Sequence, residues 1–160
     1  MKLKRELKRL IIFEYFNSIV FITLYFYLIW LFGKQFSITV FYPVLCCSII
    51  LLQGTAYWGI CLLRIEKKIK RSKNIIKTFA FFRALNIIGL SFYPVLVYFY
   101  TPSPAELFLG IGIYVFAIIE NINYFYFRLA YHISQWFKKM AQLKFEKSQI
   151  AKEISKNNKI

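Results

Sequence analysis

The chain has 160 residues, a length that fits one domain. It is 59% hydrophobic, yet it carries 22 lysine and arginine residues against seven acidic ones, for a formal net charge of +15. Such an apolar share is well above that of a soluble domain, which excludes that class. Apolar and charged residues in these amounts must be separated along the chain, as they are in multi-pass membrane proteins.

Four apolar stretches are long enough to cross about 30 Å of hydrocarbon, which takes about 20 helical residues. They cover residues 10–33, 38–63, 78–100 and 107–126. The first follows a basic segment, as in a signal peptide, but its apolar run is too long and contains Glu14 and Asn17, so we interpret it as a retained anchor. The sequence predicts an all-α membrane protein with a four-helix transmembrane bundle over residues 1–128 and a basic helical tail over 129–160.

The basic residues outside the spans predict the orientation. Twenty of the 22 lie in residues 1–10, 64–77 and 128–160, whereas the other two loops hold only Lys34. Because loops rich in lysine and arginine stay in the cytoplasm, we expect a multi-pass protein of a bacterial inner membrane with both termini cytoplasmic. Aromatic residues near the ends of the spans, Tyr124 among them, fit the interfacial belts of such proteins.

Polar residues inside the spans follow a pattern. In spans 1, 3 and 4 a charged residue precedes an asparagine by three positions, which puts both on one face of a helix. At about 1.5 Å per residue, Glu14, Arg83 and Glu120 lie in nearly one layer of the inner leaflet. The whole predicted layer consists of Glu14, Asn17, Gln53, Arg83, Asn86, Glu120, Asn121 and Asn123.

Three interpretations of this layer remain open. In the first, Arg83 pairs with one glutamate and the asparagines join the helices by hydrogen bonds. In the second, the layer lines a water-filled path or gate, because two carboxylates face one guanidinium and an unpaired charge in a bilayer is costly. The third is a catalytic use of Glu14 and Glu120.

The tail carries apolar residues at intervals of mostly three or four, interrupted at Lys147. This pattern predicts an amphipathic cytoplasmic helix over residues 129–154. Such a helix either associates with copies of itself, since its spacing is close to a heptad, or lies on the anionic inner leaflet. Both alternatives place the tail on the cytoplasmic side of the membrane.

The cytoplasmic segments hold more basic residues than orientation alone requires. They leave room for an anionic ligand such as a nucleotide or oligonucleotide, for an acidic protein, or for lipid headgroups. The candidate contacts are Arg64, Lys67, Lys68, Lys70, Arg71, Lys138 and Lys139. No glycine-rich phosphate loop or nucleic-acid-binding motif accompanies them, so the prediction of an anionic ligand depends on basic charge alone.

Motifs for catalysis are missing from the sequence. Its single histidine, His132, has no metal-ligand pattern around it, and the chain has neither an aspartate nor a C-x-x-C motif. We therefore expect no enzymatic activity, no cofactor and no metal.

Four helices per chain are too few to enclose a sizeable conduit, so a pore requires a symmetric homo-oligomer. We predict an oligomeric ion channel or pore-forming effector, gated by an anionic cytoplasmic ligand, an architecture like that of small membrane effectors in bacterial antiviral defence. The alternatives are a membrane anchor or subunit that docks a cytoplasmic partner protein, and a small transporter.

Overall fold

The computed structural model of the protein describes residues 2–32, 37–70, 72–127 and 147–157. Within these residues the chain forms five helices and no strand: α1 (Lys2–Phe32), α2 (Ile38–Ile65), α3 (Lys73–Tyr100), α4 (Pro104–Phe125) and α5 (Gln149–Asn157). The first four are each long and apolar enough to cross a membrane. The predicted all-helical architecture with four helices able to span a membrane is confirmed, and the orientation of the termini stays a prediction.

Three of the spanning helices, α1, α3 and α4, begin earlier than the apolar stretches that predicted them. Helix α1 starts at Lys2 and α3 at Lys73, because backbone hydrogen bonding continues into charged sequence that hydropathy does not mark. The Ser72 side chain caps α3 by accepting a hydrogen bond of 3.3 Å from the N–H two residues on. Helix α4 begins with a capping box, in which Glu106 accepts from the Ser103 N–H at 2.9 Å and the Ser103 hydroxyl accepts from the Glu106 N–H.

Helix α2 is the centre of the bundle. In its most apolar stretch, 56% of the residues are buried, against 17% or less in the corresponding stretches of the other three long helices. All three of those helices contact α2. Its buried face supplies Cys47, Ile50, Leu51 and Tyr57 to the main core cluster. The outward faces of α1, α3 and α4 carry many exposed apolar side chains, which a bilayer would cover.

Helix α5 packs against one end of the bundle. We call this the basic end, because the exposed cations Lys4, Lys67, Lys68, Lys70 and Lys73 lie there. Ile150 and Ile154 of α5 are buried in the main core cluster. The Arg64 guanidinium of α2 donates two hydrogen bonds, of 2.8 and 3.0 Å, to the Glu153 carboxylate. The end of the chain therefore contributes to the core.

The predicted tail helix over residues 129–154 does not run unbroken through its C-terminal part. Residues 128–146 lie outside the described residues, and α5 begins only at Gln149. Before it, the Ser148 N–H donates to the Tyr126 carbonyl at 2.9 Å, and the Ser148 hydroxyl accepts from the N–H of Ala151 at 3.1 Å. Ser148 thus starts a new helix at the point where Lys147 interrupts the apolar stripe.

Candidate functional site

Three of the predicted polar residues form a hydrogen-bonded group in the core, the amide triad of Gln53, Asn86 and Asn121. Gln53 donates to Asn86 at 3.1 Å, and Asn86 donates back to Gln53 at 2.7 Å. The same Asn86 amide nitrogen donates to the Asn121 side-chain oxygen at 3.2 Å. All three side chains are buried. Because they lie on α2, α3 and α4, the triad joins three helices in the way that amides join membrane spans.

Two glutamates form a second group, on α1 and α4. Glu14 and Glu120 lie close enough to interact electrostatically, and both are half-buried. The Asn123 side chain lies 3.5 Å from the Glu120 carboxylate. Among the described residues no basic side chain forms an ion pair with either glutamate. The two carboxylates therefore have polar neighbours and no counter-charge in the part of the chain that the structure describes.

Tyr124 belongs to this second group, although its position near the end of span 4 had assigned it to the interfacial belt. It is 4% exposed, and its ring lies over Gly54, where an added Cβ would come within 2.6 Å of the ring. Its hydroxyl lies near the Glu14 carboxylate. The hydroxyl forms no hydrogen bond within the described residues. We call Glu14, Glu120 and Tyr124 the carboxylate group.

Gly54 is the feature of the sequence that could have revealed this packing. It directly follows Gln53 and precedes Thr55 and Ala56, and small residues let neighbouring helices approach closely in membranes. Nothing in the sequence says which aromatic ring occupies the space that the missing Cβ leaves. The contact between α2 and Tyr124 therefore emerges only from the fold.

Arg83 joins neither glutamate. Its guanidinium carbon lies 5.7 Å from the centre of the Tyr126 ring, and its side chain lines a cavity at the basic end. Asn17 is half-buried on α1 and makes no side-chain hydrogen bond within the described residues. The eight residues of the predicted layer thus fall into four parts: the amide triad, the two glutamates with Asn123, Arg83 one helical turn from Asn86 toward the basic end, and Asn17.

The available chemistry is that of carboxylates, amides and phenols. The described residues contain no cluster of three or more His, Cys, Asp or Glu side chains that could hold a metal ion. No protein-family model, curated protein or solved structure matches this chain. Within this site, Glu14 and Glu120 are the groups able to exchange a proton or attract a cation.

The predicted contacts for an anionic ligand differ in availability. Arg64 is engaged by Glu153, as described above, and Lys68 pairs with Glu66 at 2.9 Å. Lys4 also pairs with Glu66, at 2.5 Å, and these two lysines hold the pKa of the Glu66 carboxyl at about 2, below its ordinary 4.5. Lys67 and Lys70 are exposed and form no ion pair with a described residue. The remaining candidates lie outside the described residues: Arg71, Lys138 and Lys139.

Proposed function

We propose that the chain is a subunit of a homo-oligomeric channel for cations or protons, with the carboxylate group facing its conduit. The observation that carries this proposal is the Glu14–Glu120 pair, which has no basic partner among the described residues. Two neighbouring carboxylates repel each other, and a charged side chain in a spanning helix costs about 2.5–3.5 kcal/mol at its centre. Water, a cation or a proton must therefore contact the two carboxylates and offset this cost.

The packing supports a conduit between chains instead of one within a chain. The space between α2, α3 and α4 is filled by buried aromatic side chains, among them Tyr57, Phe79 and Phe125. Glu14 and Glu120, by contrast, keep partial exposure on α1 and α4. A ring of chains that turned these faces toward a common axis would line it with carboxylates, which attract cations.

In this proposal the basic end faces the cytoplasm, as the distribution of lysine and arginine predicts. An anionic ligand that gates the channel would then find Lys67 and Lys70 exposed and free of ion pairs within the described residues. The link to antiviral defence rests on the architecture alone.

The test is cation flux through the purified full chain reconstituted in liposomes, together with its mass in lipid nanodiscs. We expect an oligomer of three or more chains, and flux that falls about tenfold in Glu14→Gln and in Glu120→Gln, because loss of one favourable charge contact of about 1.4 kcal/mol gives that factor. The matched control is Glu6→Gln, since Glu6 is an exposed glutamate on the same helix as Glu14. Flux that is unchanged in both site variants, or a monomer in nanodiscs, would refute the proposal.

A second candidate is a membrane anchor that docks an acidic cytoplasmic protein. The exposed Lys67 and Lys70 favour it, because they lie together in the loop between α2 and α3. An anchor predicts a chain that is silent in liposomes and that is a monomer or a small oligomer in nanodiscs, so the flux experiment separates the two candidates.

A further inference from the structure

A cavity of about 420 Å³ opens at the basic end of the bundle. The last turn of α4 and the two residues after it form one wall through Phe125, Tyr126 and Phe127, and α5 forms another through Ile154 and Ser155. Arg83 of α3, Ala151 of α5 and Lys147, which precedes α5, are the other described residues of the lining. The volume lies in the range of small-molecule pockets, about 300–1,000 Å³.

The charged residues that line this cavity in the described part of the chain are both basic. Arg83 and Lys147 both line it, and none of the lining residues within the described ranges is acidic. Two other cations at the basic end are neutralised, Arg64 by Glu153 and Lys68 by Glu66, whereas Lys67 and Lys70 project into solvent away from the cavity lining. Within the described residues Arg83 forms no ion pair, and its guanidinium is held against the Tyr126 ring. The cavity therefore presents two cationic side chains whose counter-charge must come from elsewhere.

We infer that this cavity binds a phosphate group, which in a membrane is the headgroup of an anionic phospholipid. A guanidinium, an ammonium group and the Ser155 hydroxyl are donors that suit phosphate oxygens. Phe125 and Ile154 give the same cavity an apolar wall against which the glycerol and the first acyl carbons pack. Neither feature depends on the flux proposed above, so this inference can hold if the channel proposal fails.

The position of the cavity favours a lipid as the source of the phosphate. Helix α4 ends at Phe125, so the cavity lies at the level where the fourth span leaves the hydrocarbon and headgroups begin. A phosphate bound there would contact Arg83 on α3, Lys147 before α5 and Ser155 on α5. It would thus link α5 to the bundle in addition to the Arg64–Glu153 pair.

The test is ligand binding to the purified full chain in a neutral detergent, counted by native mass spectrometry. The probes are a water-soluble short-chain phosphatidylglycerol, the matching diacylglycerol, which lacks the phosphate, and inorganic phosphate. We expect one phosphatidylglycerol per chain and little diacylglycerol. Affinity should fall about tenfold in Arg83→Gln and in Lys147→Gln, since each removes a charged hydrogen bond to phosphate. Inorganic phosphate that binds as tightly as the lipid would support the same site with free phosphate as its ligand.

The matched controls are Lys77→Gln on α3 and Lys152→Gln on α5, because both lysines are exposed and neither lines the cavity. They should change the affinity by less than about twofold. Arg83→Lys keeps the charge and should keep most of the binding, and Lys147 is exposed, so its variant tests the site even if Arg83→Gln misfolds. Equal binding of diacylglycerol, unchanged affinity in Lys147→Gln, or an equal loss in Lys152→Gln would overturn the inference.

Discussion

Replacement of Asn86 by alanine should destabilise the bundle more than any other change in the amide triad. Asn86 takes part in all three hydrogen bonds of the triad, whereas Asn121 takes part in one. Interhelical hydrogen bonds in membrane proteins contribute about 0.6 kcal/mol each on average. The free energy of unfolding should therefore fall by about 2 kcal/mol in Asn86→Ala and by roughly 0.6 kcal/mol in Asn121→Ala.

The ratio of these two losses is the measurement that matters, because it depends on the number of bonds and little on the strength assigned to each. Unfolding in mixed micelles with increasing dodecyl sulfate, followed by far-ultraviolet circular dichroism, gives both values. Asn17→Ala is the control, since Asn17 forms no side-chain hydrogen bond within the described residues. Equal losses in Asn86→Ala and Asn121→Ala, or an Asn86→Ala bundle as stable as the Asn17→Ala one, would show that the triad does not hold the helices together.

Two other predictions concern α2 and Glu66, the residue that follows its last turn. Gly54→Ala places a methyl group 2.6 Å from the Tyr124 ring and should lower the free energy of unfolding by about 1–3 kcal/mol. The control is Gly59→Ala, which has nothing within 4 Å of the added methyl group and should be neutral or stabilising. Equal effects of the two substitutions in the same assay would contradict this prediction. The pKa of Glu66 is about 2 in the folded chain and 4.5 ordinarily, so its ion pairs contribute their full stability above about pH 4.5 and lose it as the pH falls toward 2. Glu66→Gln should remove this part of the acid sensitivity, measured as the folded fraction between pH 6 and pH 2, and a variant with the wild-type pH profile would count against the pairing with Lys4.

The sequence allowed prediction of the spans and of the polar residues within them, but not of the partners of those residues. Each span is apolar on most of its sides, so no hydrophobic stripe indicates which face meets α2. For that reason Gln53, Asn86 and Asn121 could be recognised as polar residues at similar depth, while their hydrogen bonds to one another could not. The same uncertainty about helix rotation kept Tyr124 in the interfacial belt.

The prediction for Arg83 shows a second limit. Its depth was measured from the start of an apolar stretch, which placed it level with Glu14 and Glu120. Depth along a helix says nothing about direction around the axis, and Arg83 points toward Tyr126 and the basic end. Likewise, the apolar periodicity of the tail predicted a helix but could not show that a helix would begin just after Ser148 or that Ile150 would enter the core.

The central position of α2 has a consequence for the order in which the bundle is assembled in a membrane. When the hairpin of α1 and α2 has entered the bilayer, Gln53 faces the side where α3 and α4 have yet to arrive, so its amide has none of its final partners. Asn86 enters with the third span and supplies both bonds at once, and Asn121 follows with the fourth. Each newly inserted helix thus supplies hydrogen-bond partners for an amide side chain of a helix inserted earlier. Each step of sequential insertion therefore lowers the free energy of the polar groups already in the bilayer.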